Sequence, residues 1–241
     1  MIEFSSLSYL TIISSMAVVP FYLFATYYFA GSGWRKASFL TVGIIVYGFV
    51  MTSFVLNWQF GFESPYVMPA VMLTSLAIPP ILVLLWPNYF VPDGISLTWL
   101  LGVQAFRVIG GLYLFEQFRG NVGPEFAYWA GIGDVITGIA ASAVLIFYWS
   151  TKRMPRWAVY GTILFGLADF AWAYGIGIFS FETPFQIFSL SAVHATNLFP
   201  IAMIPFLLAP IAMGFMIMTL IKLNRDKVVV MQHQQLSGKL R

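Results

Sequence analysis

Long apolar runs, interrupted at short intervals by glycine, proline and charge, set the pattern of this chain. Crossing the ~30 Å hydrocarbon core of a bilayer takes roughly 20 helical residues. Seven runs reach that length, at about 5–30, 37–58, 66–86, 95–118, 124–149, 157–180 and 195–222. The breaks are short and carry turn or charge signals, as in Gly31 to Lys36, Gly61 to Pro65, Pro87 to Gly94, Arg119 to Asn121 and Ser150 to Arg156. Only the stretch from Phe181 to His194 has room for a short surface helix of its own. The pattern therefore predicts an all-α polytopic membrane protein with seven transmembrane helices in residues 1–223 and a basic tail over 224–241. The first basic residue is Arg35, so the first run lacks the leading charge of a cleaved signal peptide and is expected to remain as a span.

Composition narrows the function classes. Hydrophobic residues make up 60% and charged residues 9% of the chain, against about 25% charged in a soluble domain. So few charges cannot clothe a soluble surface or track a phosphate backbone, which sets aside soluble enzymes and nucleic acid as a partner. The net charge of +3 reports orientation instead. With loops assigned to alternate sides, Arg35, Lys36, Lys152, Arg153, Arg156, Lys222, Arg225, Lys227, Lys239 and Arg241 share one side. The other side receives Arg119 with Glu3, Glu63, Glu116, Glu125 and Glu182. The positive-inside rule then puts the N-terminus outside and the C-terminus in the cytoplasm. An even number of spans would spoil this sorting. Trp34, Trp58, Trp86, Trp99, Trp129, Trp149 and Trp157 fall near span ends, as interfacial anchors do, and Trp172 alone sits mid-span.

Zero cysteines exclude disulfides, thiolate metal sites and cysteine nucleophiles. Two histidines, His194 and His233, are too few for bis-His haem, di-iron or zinc hydrolase centres, so no metal or haem is expected. The many Phe, Tyr and Trp side chains suit helix packing and lipid contact, and would also line a site for a flat lipophilic molecule such as a quinone or carotenoid.

The remaining charges are the informative ones. Arg107 lies in the middle of the fourth run, Asp134 in the fifth and Asp169 in the sixth, all within about a turn or two of the midplane at 1.5 Å per residue. The helical face of Asp134 carries Ala127, Gly131, Gly138 and Ala141, and that of Asp169 carries Thr162, Gly166, Ala173 and Gly177. Small-residue faces mark close helix contact in membranes, so both carboxylates should point into the bundle. Arg107 has Gln104 three residues before it and Gly110 and Gly111 after it. The expectation is a buried cluster of Arg107, Asp134 and Asp169, with Gln104 beside it. One Arg between two ionised Asp leaves a formal charge of −1, which a low dielectric disfavours, and a shared proton would resolve it. Glu116, Trp172, His194 and Asn197 are secondary candidates: a carboxylate at the outer end of the fourth run, a mid-span indole, and two polar residues opening the seventh.

Two motifs invite comparison with known machines. Gly131-Ile132-Gly133-Asp134 is similar to the G-x-G-D signature of intramembrane aspartyl proteases, in which two Asp share a proton and activate water. Their other Asp precedes G-x-G-D, whereas the only Asp upstream here is Asp93, in a loop. Seven spans with a midplane Arg and two Asp also look like the microbial rhodopsin layout. That resemblance would require a retinal-bearing Lys in the seventh run, where none occurs before Lys222.

Residues 95–175 carry a more specific likeness. Gln104-Ala105-Phe106-Arg107-Val108-Ile109-Gly110-Gly111, Gly123-Pro124-Glu125-Phe126-Ala127, Ala130-Gly131-Ile132-Gly133-Asp134 and Gly166-Leu167-Ala168-Asp169 follow in order. The run resembles a family of small uncharacterised bacterial multi-pass membrane proteins with a Q-x-F-R-V-x-G, A-G-x-G-D and G-L-x-D pattern. The resemblance implies a bacterial inner membrane and groups the three charges, and it brings no activity. The leading expectation is a non-enzymatic, transporter- or receptor-like protein handling a small solute, proton or lipophilic ligand at the cluster. The second is an accessory subunit of a larger membrane complex or a homo-oligomer, in contact with pigment or quinone, where the cluster fastens helices. Intramembrane proteolysis stands as a remote third.

Overall fold

The computed structural model describes residues 3–58, 66–189 and 195–239, the stretch 227–239 by its backbone alone. All regular structure among these residues is helical, and seven helices are long and apolar enough to cross a membrane. They are α1 (Ser6–Phe29), α2 (Trp34–Trp58), α3 (Val67–Leu85), α4 (Leu97–Phe118), α5 (Pro124–Thr151), α6 (Arg156–Ile178) and α7 (Ile204–Asp226), whose backbone runs on as helix to Lys239. Local signals set several ends. The Ser5 hydroxyl caps α1 by accepting from the Ser8 N–H at 3.1 Å, and the Ser96 hydroxyl caps α4 by accepting from Thr98 at 3.2 Å. Pro124 opens α5 where its missing N–H costs nothing.

The burial is uneven. The apolar stretch of α7 is 78% buried, against 17% for α1 and 6% for α2. Helix α7 forms the axis, packed against α3, α4 and α6, while α5 lies between α4 and α6. Helices α1 and α2 pack chiefly on each other. Their exposed Leu10, Phe21, Phe39 and Phe49 form a surface suited to acyl chains.

Two local expectations fail. The segment from Phe181 to Ser189 makes turns and bends in place of a surface helix. Pro184 cannot donate a backbone N–H there, and the N–H groups of Ile187 and Phe188 fold back onto the Phe179 carbonyl at 2.8 and 3.0 Å. The remainder of that stretch, to His194, lies outside the described residues. The seventh span opens at Ile204, not at 195. Ala195–Asn197 is a 3-10 turn and the chain from 198 to 202 turns irregularly; Pro200 biases the residue before it away from helix, and Pro205 sits in the first turn of the helix that follows, where its missing N–H costs nothing.

Three spans depart from α-helical winding. Phe106–Gly110 within α4 is 3-10, whereas Ala127–Gly131 in α5 and Ile204–Leu208 in α7 are π. Local windings of this kind recur at functional sites. In α7 the cause can be traced to Pro210. It has no N–H for the carbonyl of Phe206, four residues back, or of Pro205, five back. Tyr174 of α6 donates its hydroxyl to the Pro205 carbonyl, and Tyr47 of α2 donates to that of Phe206 at 3.2 Å. Side chains of neighbouring helices thus replace the missing bonds, as an apolar medium demands.

One end of the bundle carries a basic layer. Lys36 donates to the Tyr89 carbonyl with its ammonium 4.2 Å from the Tyr89 ring centroid. Lys222 donates to the Asp93 carbonyl at 2.9 Å, and Arg225 to the carbonyl of Val91 at 2.6 Å and Oδ1 of Asn88 at 2.7 Å.

Candidate functional site

The centre of α4, α5 and α6 is built from reciprocal glycines. Gly110 of α4 faces Asp134, Gly133 of α5 faces Asp169, and Gly166 of α6 faces Arg107. A methyl group at any of the three would fall on the charged side chain opposite. Each helix therefore gives up one side chain to admit a charged one from a neighbour, and the three exchanges close a ring. The close helix approach that small residues permit is thereby turned into space for a guanidinium and two carboxylates.

Arg107 donates from Nε to Oδ1 of Asp134 at 2.6 Å and from Nη2 to Oδ2 of Asp169 at 2.5 Å. Its Nη1 reaches the carbonyl of Gly166 at 3.3 Å, and the guanidinium lies 3.8 Å from the Phe170 ring centroid. All three residues are buried, with exposures of 2% for Arg107, 7% for Asp134 and 9% for Asp169. Charge-assisted bonds of this length are about twice as strong as neutral ones. They leave one carboxylate oxygen of each Asp, Oδ2 of Asp134 and Oδ1 of Asp169, without a hydrogen bond among the described residues.

Two kinds of space adjoin these free oxygens. A void of about 20 Å³ lies between Asp134, Tyr113, Tyr174 and Pro205, enough for roughly one water. On the opposite flank a cleft of about 370 Å³ opens between α5 and α6, with Asp169 and Gly133 in its lining and Trp129 and Trp172 at its mouth. The cluster thus combines a surplus negative charge with a small inner void and a larger outer cleft. A water-splitting carboxylate pair is a poor description of it, since each Asp spends one oxygen on the guanidinium between them.

The structure brings Arg107, Asp134 and Asp169 together and leaves the other candidates elsewhere. Gln104 lies one turn away, fully buried, donating from Nε2 to the Ala212 carbonyl of α7 at 3.1 Å while its Oε1 has no hydrogen-bond partner among the described residues. Glu116 is also fully buried, near the C-terminal end of α4. Its carboxylate accepts from the Ser5 N–H at 3.2 Å, the Ser5 hydroxyl at 2.9 Å, the Ser8 hydroxyl, and Nδ2 of Asn121 at 2.7 Å. With Arg119 3.4 Å away, this is a fully bonded tie between α1 and α4. Trp172 lies beside the cluster at the cleft. Asn197 is buried in its 3-10 turn, and no hydrogen bond joins it to the three charges among the described residues. His194 lies outside the described residues.

Phe170, Tyr113, Tyr174 and the Gly166 carbonyl belong to the surroundings of the cluster and were not anticipated. Phe170 follows Asp169 directly, but helical periodicity points adjacent residues apart, so only an Arg stacked across the helix pair reveals it. The glycines were legible as small faces, while their one-to-one pairing with charges was not.

Residues 68–224 match the family model described as a domain of unknown function, DUF8737. The chain belongs to this family. The DUF8737 region takes in α3 to α7 together with Arg107, Asp134 and Asp169, and α1 and α2 lie before it. No curated protein and no solved structure matches the chain.

Proposed function

We propose that this DUF8737 protein is a transporter- or receptor-like membrane protein whose Arg107, Asp134 and Asp169 cluster binds one positive charge, a proton or a small solute or ligand that replaces it. One observation carries the reading: a single buried guanidinium serves two buried carboxylates, each with an oxygen to spare. In a low dielectric a surplus charge costs several kcal/mol unless it is neutralised. Such residues in membrane interiors mark proton and ion pathways. The basic layer of Lys36, Lys222 and Arg225 at one end supports an orientation with that end in the cytoplasm and the N-terminus outside. A bacterial inner membrane is the proposed location.

The test is proton movement in proteoliposomes under an imposed pH gradient, comparing the wild type with Asp134→Asn and Asp169→Asn. The expected result is flux in the wild type and a loss of about tenfold or more in both variants at matched thermal stability. Flux unchanged by either substitution in folded protein overturns the reading.

A second reading, an accessory subunit, is favoured by the apolar groove of about 530 Å³ that α1, α2, α3 and α7 leave beside Tyr27, Tyr47 and Trp86. A quinone or carotenoid suits its shape and lining. Purification from native membranes in mild detergent, with mass spectrometry of co-migrating proteins and pigments, separates the two readings.

A further inference from the structure

We infer that the cleft between α5 and α6 is a lateral binding site for a lipophilic monocation, an alkylammonium or arylalkylammonium, whose charged head meets Asp169 and whose apolar body lies on Trp129 and Trp172. The inference rests on the cluster being a site, and it names the class of ligand and the way in.

Four observations converge on this cleft. Its volume of about 370 Å³ falls within the roughly 300–1,000 Å³ of small-molecule pockets. At its base the Asp169 side chain is only 6% exposed and gives Oδ2 to Arg107. Oδ1 lies against Gly133, itself part of the cleft lining, and has no hydrogen-bond donor among the described residues. At its mouth Trp129 and Trp172 are 61% and 54% exposed, with ring centroids 5.8 Å apart at 66°. Trp129 and Trp172 come from different helices, so the indole pair spans the cleft between α5 and α6.

Charge decides among ligands that would fit the space. The guanidinium and the two carboxylates sum to −1 when both Asp are ionised. A carboxylate or phosphate ligand would add to that surplus, and a neutral molecule would leave it unchanged. An ammonium brings the sum to zero, donates N–H to the free oxygen of Asp169, and lies against indole faces that attract cations most strongly when water is excluded. The apolar body is required by the route, because the mouth is formed by exposed aromatic side chains on the lipid-facing side of α5 and α6. A proton and this cation would satisfy the same deficit, so binding of one should displace the other.

Equilibrium dialysis of the protein in phosphatidylcholine nanodiscs tests the inference, with phenylbutylammonium as probe and phenylbutanol and phenylbutyrate as its neutral and anionic counterparts. Empty nanodiscs give the partition background. The expected result is saturable binding of the amine about tenfold tighter than the alcohol, with no saturable binding of the acid. Trp172→Ala, outside the ion-paired core, should weaken amine binding about threefold to tenfold and the alcohol by less, since both lose apolar contact and only the amine also loses the attraction of the indole face for a cation. Asp169→Asn should abolish the preference for amine over alcohol. Equal binding of amine and alcohol, or a silent Trp172→Ala, overturns the inference and leaves the proton-flux result for the cluster untouched. An amine preference that persists while neither Asp affects proton flux would sustain the cleft and remove the proton role.

Discussion

Helices α1 and α2 and the α4 to α6 wedge are all apolar enough to cross a membrane and are held in the molecule by different means. The hairpin is attached at points. Tyr22 donates its hydroxyl to the Trp99 carbonyl at 2.7 Å, Tyr27 to Phe90 at 2.7 Å, and Tyr47 to Ser75 and Phe206 at 3.1 and 3.2 Å. Glu116 gathers the hydroxyls of Ser5 and Ser8 at the start of α1. The wedge interlocks through glycine-for-charge exchanges, with its polar groups at the centre. Lipid tails are as apolar as leucine, so burying apolar surface between helices drives little association in a bilayer. Hydrogen bonds and close packing must supply the specificity instead. The hairpin spends its polar side chains on backbone carbonyls of other helices, a structural use. The wedge keeps carboxylate oxygens uncommitted, which structure alone does not require.

The largest effect should come from breaking the wedge. Arg107→Leu leaves two carboxylates buried without a counter-charge, and a loss of about 3–5 kcal/mol is expected, read as a collapse in yield and melting temperature in detergent. Replacing Arg107, Asp134 and Asp169 together by leucine removes the unpaired charges. That triple variant should regain much of the stability and lack the proton flux expected of the wild type, whereas a pure clasp would carry no flux in either.

Glycine substitutions sharpen the contrast at an intermediate scale. Gly133→Ala puts a methyl group onto the Asp169 carboxylate, and overpacking of this kind costs about 1–3 kcal/mol. Gly43→Ala in α2 meets nothing within 4 Å and should stay within about 0.5 kcal/mol of the wild type. Thermal unfolding of the two variants side by side checks the difference. Equal losses would mean that the hairpin is packed as tightly as the wedge.

A smaller effect than at Gly133 is expected at the tie between the two regions. Glu116→Gln keeps the shape and removes the charge that four donors share, so about 1–2 kcal/mol should be lost locally. Hydrogen exchange of the first turns of α1 should rise while α5 and α6 keep their protection. A uniform rise across all helices would show that the hairpin and wedge unfold as one unit.

The number of spans was legible because a run of about 20 apolar residues has few alternatives in a bilayer. The grouping of Arg107, Asp134 and Asp169 was legible because charges at matched depth on small-residue faces have few places to go. Interruptions of helical winding were much harder to foresee. Gln104 shares a face with Arg107 by its three-residue spacing, yet its side chain is drawn to α7, where it bonds the Ala212 carbonyl, a partner the spacing alone does not reveal. The prolines of the seventh run were visible as loosened backbone, but where the helix begins depends on Tyr47 and Tyr174, which lie in α2 and α6 and satisfy carbonyls that Pro210 cannot. Trp172 stood out as a mid-span indole, and only the packed pair of helices shows that Trp129 joins it at the mouth of a cleft.

The central claim is that the cluster takes up one positive charge, and infrared difference spectroscopy of the carboxyl stretch reads this directly. Wild-type protein in lipid, compared at alkaline and only mildly acid pH, above the range in which exposed carboxylates protonate, should gain one protonated-carboxyl band per chain. Asp134→Asn and Asp169→Asn should each abolish it, since either substitution leaves a neutral Arg and Asp pair with nothing further to neutralise. A band that survives both substitutions, or a wild type that shows none while folded, would contradict the account and leave the three charges as a fastening between helices.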